Sequence, residues 1–253
     1  MRHFSTIFWH EVRMLFLNPS TYIAAVLFLA FMGFIFMNIL DGFTRAAQDV
    51  SPAVDFFRTF FLPVWVMVPL LTMKSLAEER RSGTLETLLT APVSTTEVVL
   101  AKFGGAYLLY VLMWLSTLGF IAVLHHFAKD PRFLDLGPLA GGYIFVAITG
   151  LLYVAVGTLA SALARSQAVA AVLACAGLFA LTLGLHLAGQ LSFVQQESLH
   201  SLRDAGDSVD VFRHLEDFTR GVVDTRQIVF YLTGTALTLI LSILGVEAKI
   251  LRS

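Results

Sequence analysis

The sequence predicts an all-α, polytopic membrane protein: six transmembrane helices, an N-terminal interfacial helix, and a helical elbow between the second and third spans. Three observations carry this. Hydrophobic residues fill 57% of the 253 positions and charged residues only 14%, against about 25% charged in soluble domains. The few charges bracket long uncharged runs of membrane-crossing length. The single cysteine, Cys175, excludes a disulfide framework and a cysteine-based metal centre. A water-facing surface cannot be built from this composition, whose mean hydropathy is +0.77, so a soluble enzyme and a disordered linker are both excluded. A net charge of −1, from 17 Lys+Arg and 18 Asp+Glu, excludes a basic nucleic-acid face as the main function.

The whole chain, 1–253, reads as one membrane domain. Residues 1–18 form the interfacial helix: Phe4, Ile7, Phe8, Val12 and Leu15 recur at helical spacing, His3, His10, Glu11 and Arg13 lie off that stripe, and Asn18-Pro19 ends it. The first uncharged run, 14–40, is too long for the apolar region of a cleaved leader, and no A-x-A-like site closes it. It supplies a first span at 19–40. The second span, 56–75, has the shortest uncharged run and contains Pro63 and Pro69. It requires Arg58 and Lys74 to snorkel to opposite interfaces, and neighbouring helices to satisfy the carbonyls that proline frees. The runs 103–128, 136–164, 166–196 and 227–246 give spans at 103–125, 137–161, 167–190 and 227–247.

Two segments outside the spans carry pattern. In 76–102, Glu78-Glu79-Arg80-Arg81 precedes a turn at Ser82-Gly83 and a short helix, Thr84–Leu89, with Thr84 as N-cap and Ala91-Pro92 as stop. A second short helix starts at Ser94 or Thr95, with Glu97 in its first turn, and Leu85, Leu88 and Leu89 bed on the membrane domain. In 191–226, Val209, Phe212, Leu215, Phe218 and Val222 alternate with Asp210, Arg213, Glu216, Asp217 and Arg220. That pattern predicts an interfacial amphipathic helix, including His214 and ending near Gly221, with Asp224 as a cap for the last span. Lysine and arginine placement leans only slightly towards both termini inside, nine cations against eight.

Catalytic and metal-binding constellations are not found. The only lysines are Lys74, Lys102, Lys129 and Lys249, and none follows a glycine, so no Gly-Lys-[Ser/Thr] loop can bind ATP phosphates. There is no H-E-x-x-H and no G-x-S-x-G. His186 and the pair His125-His126 are read as hydrogen-bonding and interfacial residues, and Phe56, Phe57, Phe60 and Phe61 as core or lipid packing. In the fifth span Ala176, Ala180, Gly184 and Ala188 form a small-residue stripe, which permits close helix approach within the chain or between subunits. Gly157 and Ser161 make a weaker version in the fourth.

Residues Glu79-Arg80-Arg81-Ser82-Gly83-Thr84-Leu85-Glu86-Thr87-Leu88-Leu89-Thr90-Ala91-Pro92-Val93, followed by Val99-Leu100-Ala101-Lys102-Phe103, resemble the cytoplasmic elbow of type-2 ABC exporter permeases. The block from His214 to Asp224, then Tyr231-Leu232, is similar to the branch containing the gliding-motility-associated permease. The resemblance implies a permease subunit of an ATP-driven exporter in a bacterial inner membrane, with both termini cytoplasmic. It implies a dimer, homo- or heteromeric, in which a separate cytosolic ATPase subunit binds ATP and magnesium, so that this chain needs no cofactor and is not itself an enzyme. Carried over position by position, Glu78, Glu79, Arg80, Gly83, Thr84, Glu86 and Leu88 would form the coupling surface. The first and fifth spans, with the small-residue stripe, would form the dimer seam. Two other readings share the sequence: a mechanotransmission subunit acting through 191–226 on an outer-face accessory protein without transport, and a membrane-embedded enzyme around His186. Substrate identity is not written in these residues.

Overall fold

The computed structural model describes residues 4–45, 52–81, 93–127, 136–184, 186–187 and 209–250. Among them the secondary structure is helical, and six helices are long and apolar enough to cross a membrane. In chain order the elements are α1 (Phe4–Leu17), α2 (Pro19–Arg45), α3 (Pro52–Arg58), α4 (Phe61–Thr72), α5 (Ala77–Arg81), α6 (Thr95–Ser116), α7 (Leu118–Phe127), α8 (Leu136–Leu163), α9 (Gln167–Phe179), a π turn (Ala180–Gly184), α10 (Val211–Thr219) and α11 (Thr225–Ile250). The protein is an all-α polytopic membrane protein.

The break after α1 falls at Asn18. Its side chain accepts from the Ser20 amide at 3.1 Å and the Ser20 hydroxyl at 2.8 Å, and Pro19 opens α2 where its missing N–H costs nothing. The apolar stripe of α1 is packed on α6. Val12 is buried, and Phe8 and Leu15 lie over Gly104 and Gly105 of α6. Trp9, Met14, Phe16 and Leu17 are the large apolar residues of α1 left exposed.

The second span is displaced from the 56–75 that the sequence suggested and runs from Phe61 to Glu79. Residues 52–58 form the separate helix α3, and the chain breaks at Thr59-Phe60 before α4. The cause is Pro63, which cannot donate to the Thr59 carbonyl and whose ring crowds it. Pro69 likewise leaves the Trp65 carbonyl without its helical donor, and the Cys175 thiol of α9 donates to that oxygen at 3.4 Å. Arg58, expected to snorkel alone, instead sits 3.5 Å from Asp55 and 3.3 Å from Glu216.

The third span also begins elsewhere. The helix expected to start at Ser94 or Thr95 is not a short separate one: α6 starts at Thr95 and runs on as the span. Ser94 and Glu97 form a reciprocal capping box, with Glu97 N to Ser94 Oγ at 3.2 Å and Ser94 N to Glu97 Oε2 at 3.3 Å. Lys102, read as a boundary marker, is therefore carried two turns into the helix and buried. The span bends at Thr117, whose hydroxyl bonds the Trp114 carbonyl and Tyr143 at 2.6 and 2.7 Å.

Helix α8 is the axis of the bundle. Phe57, Tyr110 and Thr72 from three other helices lie directly against its Gly142, Gly150 and Gly157. Around it, Phe60, Phe145, Tyr153 and Phe218 interlock as stacked, tilted and edge-on rings.

Candidate functional site

The end of the bundle that holds α1 also holds the start of the elbow, and ion pairing ties them together. The Lys102 ammonium lies 2.8 Å from Glu11 of α1 and 2.6 Å from Glu79 of α5. The lysine side chain is 4% exposed and the two carboxylates 15% and 22%. Neither carboxylate alone explains a buried cation so well as the two together, since each supplies a charge-assisted hydrogen bond.

A second anchor lies on the opposite flank of α5. The Leu76 and Ala77 amides, the orphan donors at the start of that helix, both donate to Ser161 Oγ of α8, at 3.0 and 3.1 Å. Ala77 is packed with Ala164 and Ala170 at the α8–α9 corner. Lys249 near the end of α11 donates to the Ala162 and Leu163 carbonyls at 2.9 and 2.6 Å, which caps α8. Four of the six spans thus converge where the elbow begins.

At the far end of the bundle sits α10. Asp210 caps it, with Oδ1 accepting from the Phe212 amide at 3.0 Å, while Oδ2 meets His186 Nδ1 at 2.9 Å. His214 Nδ1 meets the Tyr231 hydroxyl at 2.9 Å, and Gln227 donates to Asp217 at 2.7 Å. Val211, His214, Leu215 and Phe218 are buried, so the face expected to lie on lipid is instead packed on α8 and α3. Phe212 reaches Phe61 and His186 edge-on. A Cβ at Gly141 of α8 would overlap the Phe218 carbonyl, which fixes glycine there. Gly221 ends α10 at φ 80°, with Val222 N bonded to Asp217 O and Gly221 N to Phe218 O, a Schellman closure. Asp224 Oδ1 then accepts from the Arg226 amide at 2.8 Å, at the start of α11. Within α3, burial pushes the Asp55 carboxyl above its ordinary range, and Arg58 pulls against it.

Residues 44–203 match the family model described as ABC-2 family transporter protein, more than half of the chain. The chain belongs to the ABC-2 transporter family. No curated protein matches it in sequence. As an ABC-2 membrane domain it is a permease subunit of an ABC transporter, a class of generally non-catalytic membrane subunits that act with an ABC ATPase in a lipid bilayer.

The permease's sequence-predicted site residues divide as follows. Glu78 and Glu79 lie in α5, the first exposed and the second on Lys102, and the Arg80 backbone continues that helix. Gly83, Thr84, Glu86 and Leu88 lie outside the described residues, as does Ala188. Ala176 and Ala180 are exposed, because α9 turns Ala170, Ala174, Leu178 and Thr182 inward instead. Gly184 closes the π turn. Sequence reasoning missed Glu11, Lys102, Ser161 and Lys249. A signal existed for one: Lys102 shares a face with Val98, Val99, Gly105 and Ala106, an apolar stripe interrupted by a cation. Among the described residues no group of three His, Cys, Asp or Glu is placed to hold a metal.

Proposed function

We propose that the chain is the permease of an ATP-driven exporter in the bacterial inner membrane, working as a dimer beside a cytosolic ATPase subunit that binds ATP and magnesium. Both termini and the elbow lie on the cytoplasmic side. The observation that carries this reading is the two-sided anchorage of α5. One flank is bonded to Ser161 at the α8–α9 corner, and the other to Lys102 and, through it, to α1. An ATPase seated on residues 78–88 would push on a lever already joined to four elements. Closure of the ATPase would then move the α8–α9 corner against the α1–α6 pair, biasing the spans between two arrangements. The branch containing the gliding-motility-associated permease is the favoured subgroup, and two residues of the similar block, His214 and Tyr231, are hydrogen-bonded to each other.

The anchorage also selects the test. Glu79 holds the triad, so its reversal would report on folding. Arg81 is exposed at the end of α5, and Glu86 follows in the predicted coupling helix. With a tagged permease, Arg81→Glu together with Glu86→Arg should lower co-purification of the ATPase subunit and stimulated ATP hydrolysis by about tenfold or more. Arg220→Glu at the far end should change neither. An intact complex with full activity in the double variant would overturn the coupling surface.

A further inference from the structure

From 136 to 196 the sequence holds a single Asp, Glu, Lys or Arg, which is Arg165. It stands in the corner 164–166 between two candidate spans, Leu136–Leu163 and Gln167–Gly184. A corner that short cannot lift the side chain far from the hydrocarbon, so the guanidinium lies at the depth of lipid headgroups. Two more span ends meet it there. Lys249, the last residue of the span Thr225–Lys249, donates to the Ala162 and Leu163 carbonyls. Arg81 follows the end of the span Phe61–Glu79 and lies one helical turn beyond Ala77, which packs with Ala164. Arg81 and Arg165 are both exposed, and among the described residues neither guanidinium has a hydrogen bond or an ion pair. Aliphatic side chains frame the corner. Leu163, which lies against Gly245 of α11, is exposed, as are Val169 and Leu244.

Cations framed by aliphatic groups at headgroup depth suit one kind of surroundings. Water alone would satisfy the guanidiniums but leave the aliphatic frame wetted, and hydrocarbon alone would strand the charges. A lipid meets both, with acyl chains on Leu163, Val169 and Leu244 and a phosphate on arginine, whose planar fork donates to two phosphate oxygens at once. The charge of the headgroup decides which lipid. The carboxylates on the same helix ends, Glu78 and Glu247, are exposed, and Glu79 is bonded to Lys102, so three cations at the corner outnumber them. A headgroup ammonium would add a further positive charge to that group, and a headgroup charged only at its phosphate does not. We infer that the α8–α9 corner binds an anionic phospholipid, with its phosphate on Arg165 and its chains along the outer faces of α9 and α11. The inference is independent of the ATPase reading and of which leaflet the corner faces, because neither enters it.

The test is native mass spectrometry of the full-length permease released from vesicles of equal phosphatidylglycerol and phosphatidylethanolamine. Phosphatidylglycerol should be retained over its competitor by about tenfold or more, and Arg165→Gln should cut that preference about fivefold, the worth of one cation at a lipid surface. Arg165→Lys should keep most of it, and Arg220→Gln at the far end should leave it unchanged. Equal retention of the two lipids by the wild-type protein overturns the inference without reference to any variant, as does an undiminished preference in a folded Arg165→Gln protein. Millimolar glycerol phosphate should displace little lipid. Displacement as complete as that by added phosphatidylglycerol would make the ligand a soluble anion and overturn the lipid assignment. Loss of ATPase co-purification in Arg165→Gln with the lipid preference intact would make the corner a protein contact, and the inference would fail.

Discussion

A cation buried beside a membrane interface destabilises a fold unless carboxylates meet it, and Lys102 meets two. Replacing it removes the ammonium bonded to both Glu11 and Glu79, so Lys102→Met should cost about 3–5 kcal/mol. Glu11→Gln leaves Glu79 still pairing the lysine and should cost about half as much or less. Thermal unfolding of the detergent-purified protein reads both, and the reverse order would show that the triad does not hold α1 in place. The opposite logic applies to Tyr153, whose hydroxyl is buried in α8 with no partner among the described residues. Tyr153→Phe should leave stability unchanged or raise it by about 1 kcal/mol, whereas Tyr110→Phe should lower it by about 1 kcal/mol. The difference is that the Tyr110 hydroxyl donates to the Val146 carbonyl at 3.3 Å. The Lys102 pairing was only half legible in the sequence. A lysine within an apolar stripe announces a buried cation, but Glu11 lies 91 residues away, and no local spacing joins the two.

At the scale of elements, legibility followed the chemistry of the backbone. The capping box at Ser94 and Glu97, the stop at Asn18-Pro19 and the closing glycine of α10 are local, and each could be read from a few neighbouring residues. The break before α4 is local too: a proline at 63 costs the carbonyl at 59 its i+4 donor, so that it takes the Leu62 amide at 3.3 Å instead, and the long apolar pattern concealed that. What no periodicity could give is the partner of an apolar face. The stripes of α1 and α10 have the same spacing whether they lie on lipid or on protein, because lipid is as apolar as a packed helix. The structure assigns both to protein, and the glycines beneath them are the testable consequence. Gly141→Ala would drive a methyl into the Phe218 carbonyl, so α10 must move, at a cost of about 1–3 kcal/mol. Hydrogen exchange in 211–219 should accelerate. In Gly119→Ala the new methyl meets nothing within 4 Å, and the helix should gain up to about 1 kcal/mol. Equal effects of the two substitutions would mean that α10 is not seated on α8.

For the whole molecule, the same ambiguity of apolar surfaces bears on assembly. The perimeter helices α2, α9 and α11 all expose large apolar residues, with Phe34 and Val172 at 67% and Leu237 at 60%, and hydrophobicity alone cannot say which of them meets lipid and which a second subunit. Small residues separate the cases, because a helix facing lipid gains nothing from them, while a helix facing another helix gains close approach and dispersion contact. Helix α9 turns Ala176 outward, with Ala180 one turn on at the start of the π turn, while it packs a different face inward. This supports placing the proposed dimer seam on α9. Cys175 complicates a cross-linking test, being an exposed thiol on the same helix, but its contact with the Trp65 carbonyl suggests the remedy: serine keeps a donor for that oxygen. In a Cys175→Ser background, Ala176→Cys should give a disulfide-linked or short-linker dimer in native membranes, seen as a doubled band on a non-reducing gel. Leu237→Cys on α11 should give little. Comparable yields at both positions, or none at 176, would move the seam off the fifth span and leave its alanines a lipid-facing surface.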